Sequence, residues 1–435
     1  MLWCAVVSGM SPLLLSTPAL AQTATPAVVQ KVAARESITL DQAIARAMQH
    51  DPTMVAARGA NQEASAAQKT AFGAYLPTLS ASASTSASGS TADTGGGSTF
   101  PNLSAGLSLS YDVFTGFRRG AAQTQAAAQA TQAAAGLSQK GASVALGVEQ
   151  TFLLAVRAQD LLDVATARVR TAQEGLDAAK RKVAAGIGTR SDALRAEVEL
   201  NSAQQALLEA QTQANTQAFA LGRQVGADGP VEPKMDASGL GVDPTFDVDA
   251  FVAGIAQRSP DLKVAQAAVQ SATAGVDVAK SHYLPQVSLG AGLDWSARGT
   301  PFLPGDADWS VRLGVSIPIF DGFSRDESLT RAQVQAATAS ATLADTQRAL
   351  QATAEQLAGE VRLAAQKITL AQSSVAAADE DLRVQQDRYQ NGVSTMLELL
   401  TSQAGAVSAH TDLVGASFDY RLARAQLVAL AGRAS

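Results

Sequence analysis

From residue 102 to 120 the chain reads NLSAGLSLSYDVFTGFRRG, and 206 positions later DWSVRLGVSIPIFDGFSRD runs from 308 to 326. Leu103, Ala105, Leu107, Leu109, Tyr111 and Val113 fall on one face of an extended chain, against Ser104, Gly106, Ser108, Ser110 and Asp112 on the other. In the later copy Trp309, Val311, Leu313, Val315, Ile317 and Ile319 oppose Ser310, Arg312, Gly314, Ser316 and Pro318. Strict alternation over about ten residues requires a strand whose two faces meet different surroundings. It stops at Phe114-Thr-Gly116-Phe and at Phe320-Asp-Gly322-Phe, where helix-forming sequence takes over.

The two copies belong to a longer duplication. Ala74-Tyr75-Leu76-Pro77 returns as His282-Tyr283-Leu284-Pro285, Gly186 as Gly392, and Gly226 as Gly432. The first repeat is read as 37–226, with strands at about 77–86 and 103–114 and a hairpin tip near 186–192. The second is read as 246–432, with strands at about 285–296 and 309–320 and a tip near 392–398. Residues 227–245 form a Pro/Gly-rich linker loop, and 433–435 a short tail. Each repeat runs in one order: a short helix (about 39–49; 247–258), a helix of about 25 residues, two strands, then a proline-free long helix (about 120–185; 326–391). That helix breaks at Gly186 or Gly392, and a helix of about 35 residues returns. At 1.5 Å per residue the long helix reaches about 100 Å, which the two shorter ones match only if stacked end to end. Each repeat is then a two-column hairpin, held by an apolar seam as in coiled coils.

Strands of about ten residues are long enough to cross a bilayer when tilted. Tyr111, Phe114, Trp295, Trp309 and Phe320 lie near strand ends, where interfacial aromatics belong. Four strands cannot close a barrel, so several chains share one or the strands form a soluble sandwich with one wet face. Residues 1–21 read as an export signal, with an apolar core around Leu13–Leu15 and a small-x-small site before Gln22. The basic start of such a signal is missing, and a true start upstream of Met1 is expected. Residues 22–36 are an N-terminal tail. No later run of 18 apolar residues follows, so no spanning helix is expected.

The opening SITLDQAIARAMQHDPTMVAAR, the Tyr-Leu-Pro, the Phe-x-Gly at 114–116 and 320–322, and the tips GIGTRSDALRAE and RYQNGVSTMLELL, in this order and duplicated, resemble the TolC family of outer-membrane channel proteins. The resemblance covers nearly the whole mature chain. It implies a homotrimer with a twelve-stranded β-barrel in the outer-membrane lipid of a Gram-negative bacterium and an α-helical tunnel through the periplasm. It implies the exit duct of a tripartite efflux system, passively conducting substrates received from a periplasmic adaptor and an inner-membrane RND or ABC transporter. Type I protein secretion is the alternative, and a pore-free periplasmic coiled-coil protein a third reading. Phe114, Gly116, Phe320 and Gly322 would mark the barrel–tunnel junction. Gly186, Arg190, Ser191, Asp192, Gly392 and Ser394 would form the tips that dock adaptor or pump.

The family also implies an entrance constriction at Tyr389, Glu398 and Thr401. Thr401 stands where a second carboxylate is expected, and Ser394 replaces an expected basic residue. The simpler reading of Thr189/Asp192 and Thr395/Glu398 is a capping box on each returning helix. Other chemistry finds no support in the residues. Cys4, the only cysteine, precedes the export site, so no thiol, disulfide or cysteine metal chemistry is expected in the body. His50, His282 and His410 are scattered and read as structural. No G-x-S-x-G, P-loop or H-E-x-x-H occurs, so neither enzymatic activity nor a cofactor is expected. A net charge of −6 without a basic block makes nucleic acid an unexpected partner.

Overall fold

A computed structural model describes residues 36–88, 100–235, 246–298 and 305–432. The export signal at 1–21, the tail at 22–35, residues 89–99 between the first two strands and the final 433–435 lie outside the described residues. The chain from Glu36 onward is one compact unit.

In the first repeat, strand β1 (Glu36–Ile38) precedes helices α1 (Leu40–His50) and α2 (Pro52–Gly73). Asp51 caps α2, its carboxylate accepting the Thr53 N–H at 2.7 Å, and Pro52 fills the first helical position, where no N–H is needed. Strands β2 (Thr78–Ser88) and β3 (Phe100–Phe114) follow, then α3 (Arg118–Ala184), α4 (Arg190–Gln224) and β4 (Val231–Pro233). The second repeat runs α5 (Val248–Ala253), α6 (Ile255–Arg258), α7 (Pro260–Ser281), β5 (Gln286–Arg298), β6 (Asp306–Ser316), α8 (Ser324–Gln390) and α9 (Met396–Leu430).

Three sequence expectations are corrected. The last strand ends at Ser316, four residues before Phe320: Pro318 has no N–H for a ladder, and Ile317 to Phe320 leave the sheet. The short helix expected at 247–258 breaks at Gly254 into α5 and α6. Glu36, assigned to the tail, and Val231–Pro233, assigned to the linker loop, pair as parallel strands, Ile38 opposite Pro233.

The strands form one antiparallel sheet in the order β2-β3-β5-β6, leaving β2 and β6 as open edges. The helices repeat that order. The α2 and α4 column packs on α3, α3 on the α7 and α9 column, and that column on α8. Both long helices have 67 residues, about 100 Å each. Alanine holds most of the buried positions of α3 and three of the seven in α8, allowing close approach of helix axes. Bulkier side chains gather in three belts. Midway along α3, Val148, Phe152 and Val156 meet Ile38, Met54, Leu221 and Val231. Midway along α8, Val361 and Ile368 meet Ile255, Tyr420 and Leu427. At the tips, Leu176 and Leu200 of the first hairpin meet Tyr389, Met396 and Leu399 of the second.

Candidate functional site

Sheet register turns the alternation into two surfaces. Leu79, Leu109, Ala291 and Val311 lie in one rank across the four strands, and Ala81, Leu107, Leu293 and Trp309 in another. This face is bare: Leu79 is 71% exposed, Trp309 78% and Leu313 67%. Apolar side chains in that density cannot face water without a strong transfer penalty. The opposite face carries ranks such as Ser80-Ser108-Gly292-Ser310, with Asp294 opposite Asp308. Hydroxyls there bond across strands, Ser80 to Ser108 at 2.7 Å and Ser84 to Ser104 at 2.8 Å. One side is made for hydrocarbon and the other for water. Among the described residues no helix is long and apolar enough to cross a membrane.

A bulge between Asp112 and Phe114 ends β3 and sets Phe114 opposite Val287, on the apolar face. Gly116 then takes φ +60° and Phe117 φ +65°, and α3 begins. The second repeat copies this with Gly322 at φ +65° and Phe323 at φ +68°. In each joint the two phenylalanines meet edge to face, Phe114 with Phe117 at 5.4 Å and Phe320 with Phe323 at 5.6 Å. The structure adds a residue that the sequence reading missed. Arg119 lies 5.0 Å from the Tyr75 ring and donates to the carbonyls of Ala74 at 3.3 Å and Val113 at 2.9 Å. Arg325 likewise lies 5.0 Å from Tyr283 and donates to Pro318 at 3.0 Å and Ile319 at 3.3 Å. Each arginine thus ties the strand exit to the Tyr-Leu-Pro of its own repeat. Their spacing of 206 residues was the available signal. Hydrogen bonding to Asp326, with burial second, holds the Tyr283 phenol above its ordinary pKa.

At the opposite end the capping boxes are present. The Thr189 hydroxyl donates to Asp192 at 2.6 Å and accepts the Asp192 N–H at 3.1 Å. The Thr395 N–H donates to Glu398 at 3.0 Å, and the Glu398 N–H to the Thr395 hydroxyl at 3.3 Å. Thr395→Val should remove about 1 kcal/mol of cap stability. Hydrogen exchange at 396–399 is expected to quicken about fivefold, and unchanged exchange would contradict the cap. Gly186 and Gly392, at φ +73° and +79°, make the turns.

Arg190, Ser191 and Glu398 are exposed at the tips, Asp192 and Ser394 are half-buried, and the Thr401 hydroxyl bonds back to Leu397 at 2.9 Å. Tyr389 is buried, and burial, aided by the charge of Asp192, pushes its phenol up. Lys182, unremarked in the sequence, sits 4.1 Å from the Tyr389 ring and donates to the Tyr389 carbonyl. That contact joins the end of α3 to the end of α8, so the two hairpin tips are one packed unit.

Higher up, His410 of α9 pairs with Asp379 of α8 at 2.9 Å, and Arg168 grips Glu199 with two N–H groups at 3.0 and 2.8 Å. These pairs line a cleft of about 400 Å³ between the hairpins. Burial pushes the Asp160 carboxyl up and pulls the Arg421 guanidinium down, each opposed by the charge of the other. His50 packs beside Gly226, and His282 ends α7.

The comparisons agree with this geometry. The chain is 27% identical to the protein CyaE of Bordetella pertussis over 91% of this chain and 84% of that protein. The toluene efflux pump outer membrane protein TtgC of Pseudomonas putida is 26% identical over 59% of this chain and 54% of TtgC. The alkaline protease secretion protein AprF of Pseudomonas aeruginosa is 25% identical over 74% of this chain and 67% of AprF. The crystal structure of the outer membrane protein VceC from Vibrio cholerae superposes with a TM-score of 0.74, covering 90% of this chain and 96% of VceC at 19% identity. The family model described as outer membrane efflux protein matches residues 43–227 and 253–433, both repeats in turn. With a bare apolar sheet face above and paired long hairpins below, the chain belongs to the outer membrane efflux protein family.

Proposed function

We propose that this outer membrane efflux protein conducts as a closed ring of three copies. It is an exit duct in the outer membrane of a Gram-negative bacterium, with its helices reaching into the periplasm. The observation that carries the ring is the shared order of strands and helices. The β2, α2 and α4 edge of one copy meets the β6 and α8 edge of the next, antiparallel in both layers. Lipid does not tolerate unpaired strand edges. The same closure covers Leu194, Val198, Leu208 and Phe219 on α4 and Val334, Leu363 and Leu370 on α8, all exposed in the single chain. Such a head-to-tail contact closes when the rotation per copy divides a full turn, and three copies with four strands each give a twelve-stranded barrel. Native mass spectrometry in detergent should show three chains, and planar bilayers a conducting pore. A stable monomer extracted from membranes would overturn the ring.

In this reading substrates pass through by diffusion, without catalysis by the duct. The tips, with Gly186, Arg190, Ser191, Asp192, Gly392 and Ser394, dock the adaptor or pump. Tyr389, Glu398 and Thr401 border the entrance. An acidic ring favours cations, so Glu398→Gln should lower the cation-to-anion permeability ratio, while Asp192→Asn should weaken adaptor copurification. Unchanged selectivity in Glu398→Gln would leave that residue as a cap alone. Protein secretion is the second reading, favoured by the wider match to AprF than to TtgC. Loss of a secreted protein, with unchanged solvent and drug tolerance, in cells lacking the gene would decide for it.

A further inference from the structure

The two joints are built alike and charged differently. In the second, Arg325 donates to the Asp321 carboxylate at 2.9 Å in a largely buried pair, and the Tyr283 hydroxyl donates to Asp326 at 2.7 Å. In the first, Thr115 and Gly120 occupy the positions equivalent to Asp321 and Asp326. Among the described residues Arg119 therefore meets only carbonyls and aromatic rings, 5.0 Å from Tyr75 and 5.8 Å from Tyr111. No side-chain ion pair or hydrogen bond engages the neighbouring Arg118 among the described residues. Across the joint Lys280 of α7 pairs with Asp277 at 3.2 Å, an exposed pair of small net worth.

Arg119 and Lys280 line one open cleft of about 600 Å³ together with Phe114, Phe117 and Leu284, and Asp277, the exposed partner of Lys280, is the one carboxylate in that lining. The cleft adjoins the apolar side of the sheet. Tyr111, which stacks on Arg119, shares its rank with Leu289 and Leu313, and the bulge keeps Phe114 on that side. Phe117 is 74% exposed. Two cations just beyond an apolar band, with aromatic rings between, is the arrangement that suits headgroup depth.

We infer that this cleft binds the phosphate of an anionic phospholipid from the leaflet nearer the helices, one per chain. The phosphate sits between the Arg119 guanidinium and the Lys280 ammonium, and an acyl chain runs over Phe117 and Phe114 toward Tyr111. Charge complementarity and continuity with the lipid-facing sheet select this occupant. The second joint is unsuited to one, because Asp321 pairs with Arg325 and Asp326, on Tyr283, adds a second carboxylate. The inference rests on the barrel lying in the outer membrane.

The fold offers its own control. Gly120 faces the Tyr75 hydroxyl, 3.7 Å from where its Cβ would stand, with no closer obstacle. Gly120→Asp should therefore copy the Tyr283–Asp326 bond and neutralise Arg119 without disturbing the joint. The detergent-extracted oligomer is titrated with phosphatidylglycerol, with phosphatidylethanolamine, and with inorganic phosphate alone, and bound mass is read by native mass spectrometry. Phosphatidylglycerol should bind at one per chain, about fivefold tighter than phosphatidylethanolamine, and Gly120→Asp and Lys280→Gln should each weaken it about fivefold. Equal retention of the two lipids, indifference to both substitutions, or inorganic phosphate binding as tightly as phosphatidylglycerol would overturn the inference. A conducting oligomer without lipid preference defeats only this site. Absence of both oligomer and conductance defeats the outer-membrane reading instead.

Discussion

Val311→Arg is expected to abolish stable insertion of the barrel, while Ser310→Arg is expected to leave it intact. Val311 is 64% exposed at the centre of β6, in rank with Ala291, Leu109 and Leu79. An arginine facing lipid at mid-depth costs about 2–4 kcal/mol in a transmembrane barrel, and in the proposed ring it enters three times. Ser310 belongs to the polar rank, two positions from the native Arg312 on the same face, which shows that a guanidinium is accepted there. The readout is heat-resistant oligomer recovered from membranes. Equal loss in both variants, or none in Val311→Arg, would show that the apolar face does not meet lipid.

The second large effect separates two glycines that look alike in the sequence. Gly116→Ala should destabilise the joint by roughly 3 kcal/mol. A left-handed backbone contributes about 1–2 kcal/mol of that. The rest comes from overlap, because a Cβ on Gly116 would stand 2.7 Å from both the Leu284 Cβ and the Ser281 carbonyl oxygen. Gly322, with φ +65°, has nothing within 4 Å of its Cβ position. Gly322→Ala should thus cost only the backbone part, about 1–2 kcal/mol. Thermal melts of the two variants in detergent provide the measurement. Equal shifts would mean that the close packing of α7 on the first joint carries no energy.

Much of the architecture was legible because it rests on periodicity. Period two in 102–114 reports two environments whatever they are, and Gly186 and Gly392 stop long helices through backbone chemistry that a sequence displays. What escaped depends on which elements meet. Nothing local in Glu36–Ile38 announces a strand; it becomes one because Val231–Pro233 arrives beside it. Ile317 and Ile319 continue the alternation, yet a ladder also needs N–H groups, and Pro318 lacks one. Lys182 resembles any lysine of a solvated helix face until Tyr389 comes under it. Asp192 and Glu398 were placed by the spacing of their caps, which is local, whereas a constriction belongs to a surface made by several copies.

The open edges of the single chain also bear on how fast the duct is made. In the three-copy reading, one chain cannot cover β2 and β6 or the bare stripes of α4 and α8, and a pair of chains still leaves one edge of each kind. Assembly then depends on encounters among three partners, and its rate should fall more steeply than synthesis does when expression is lowered. Until the third copy docks, the β6 edge stays unpaired and the sheet cannot settle in lipid, a window in which a periplasmic chaperone or a protease competes for the chain. Scarcity of the protein would therefore show first as degraded subunits rather than as fewer but intact ducts.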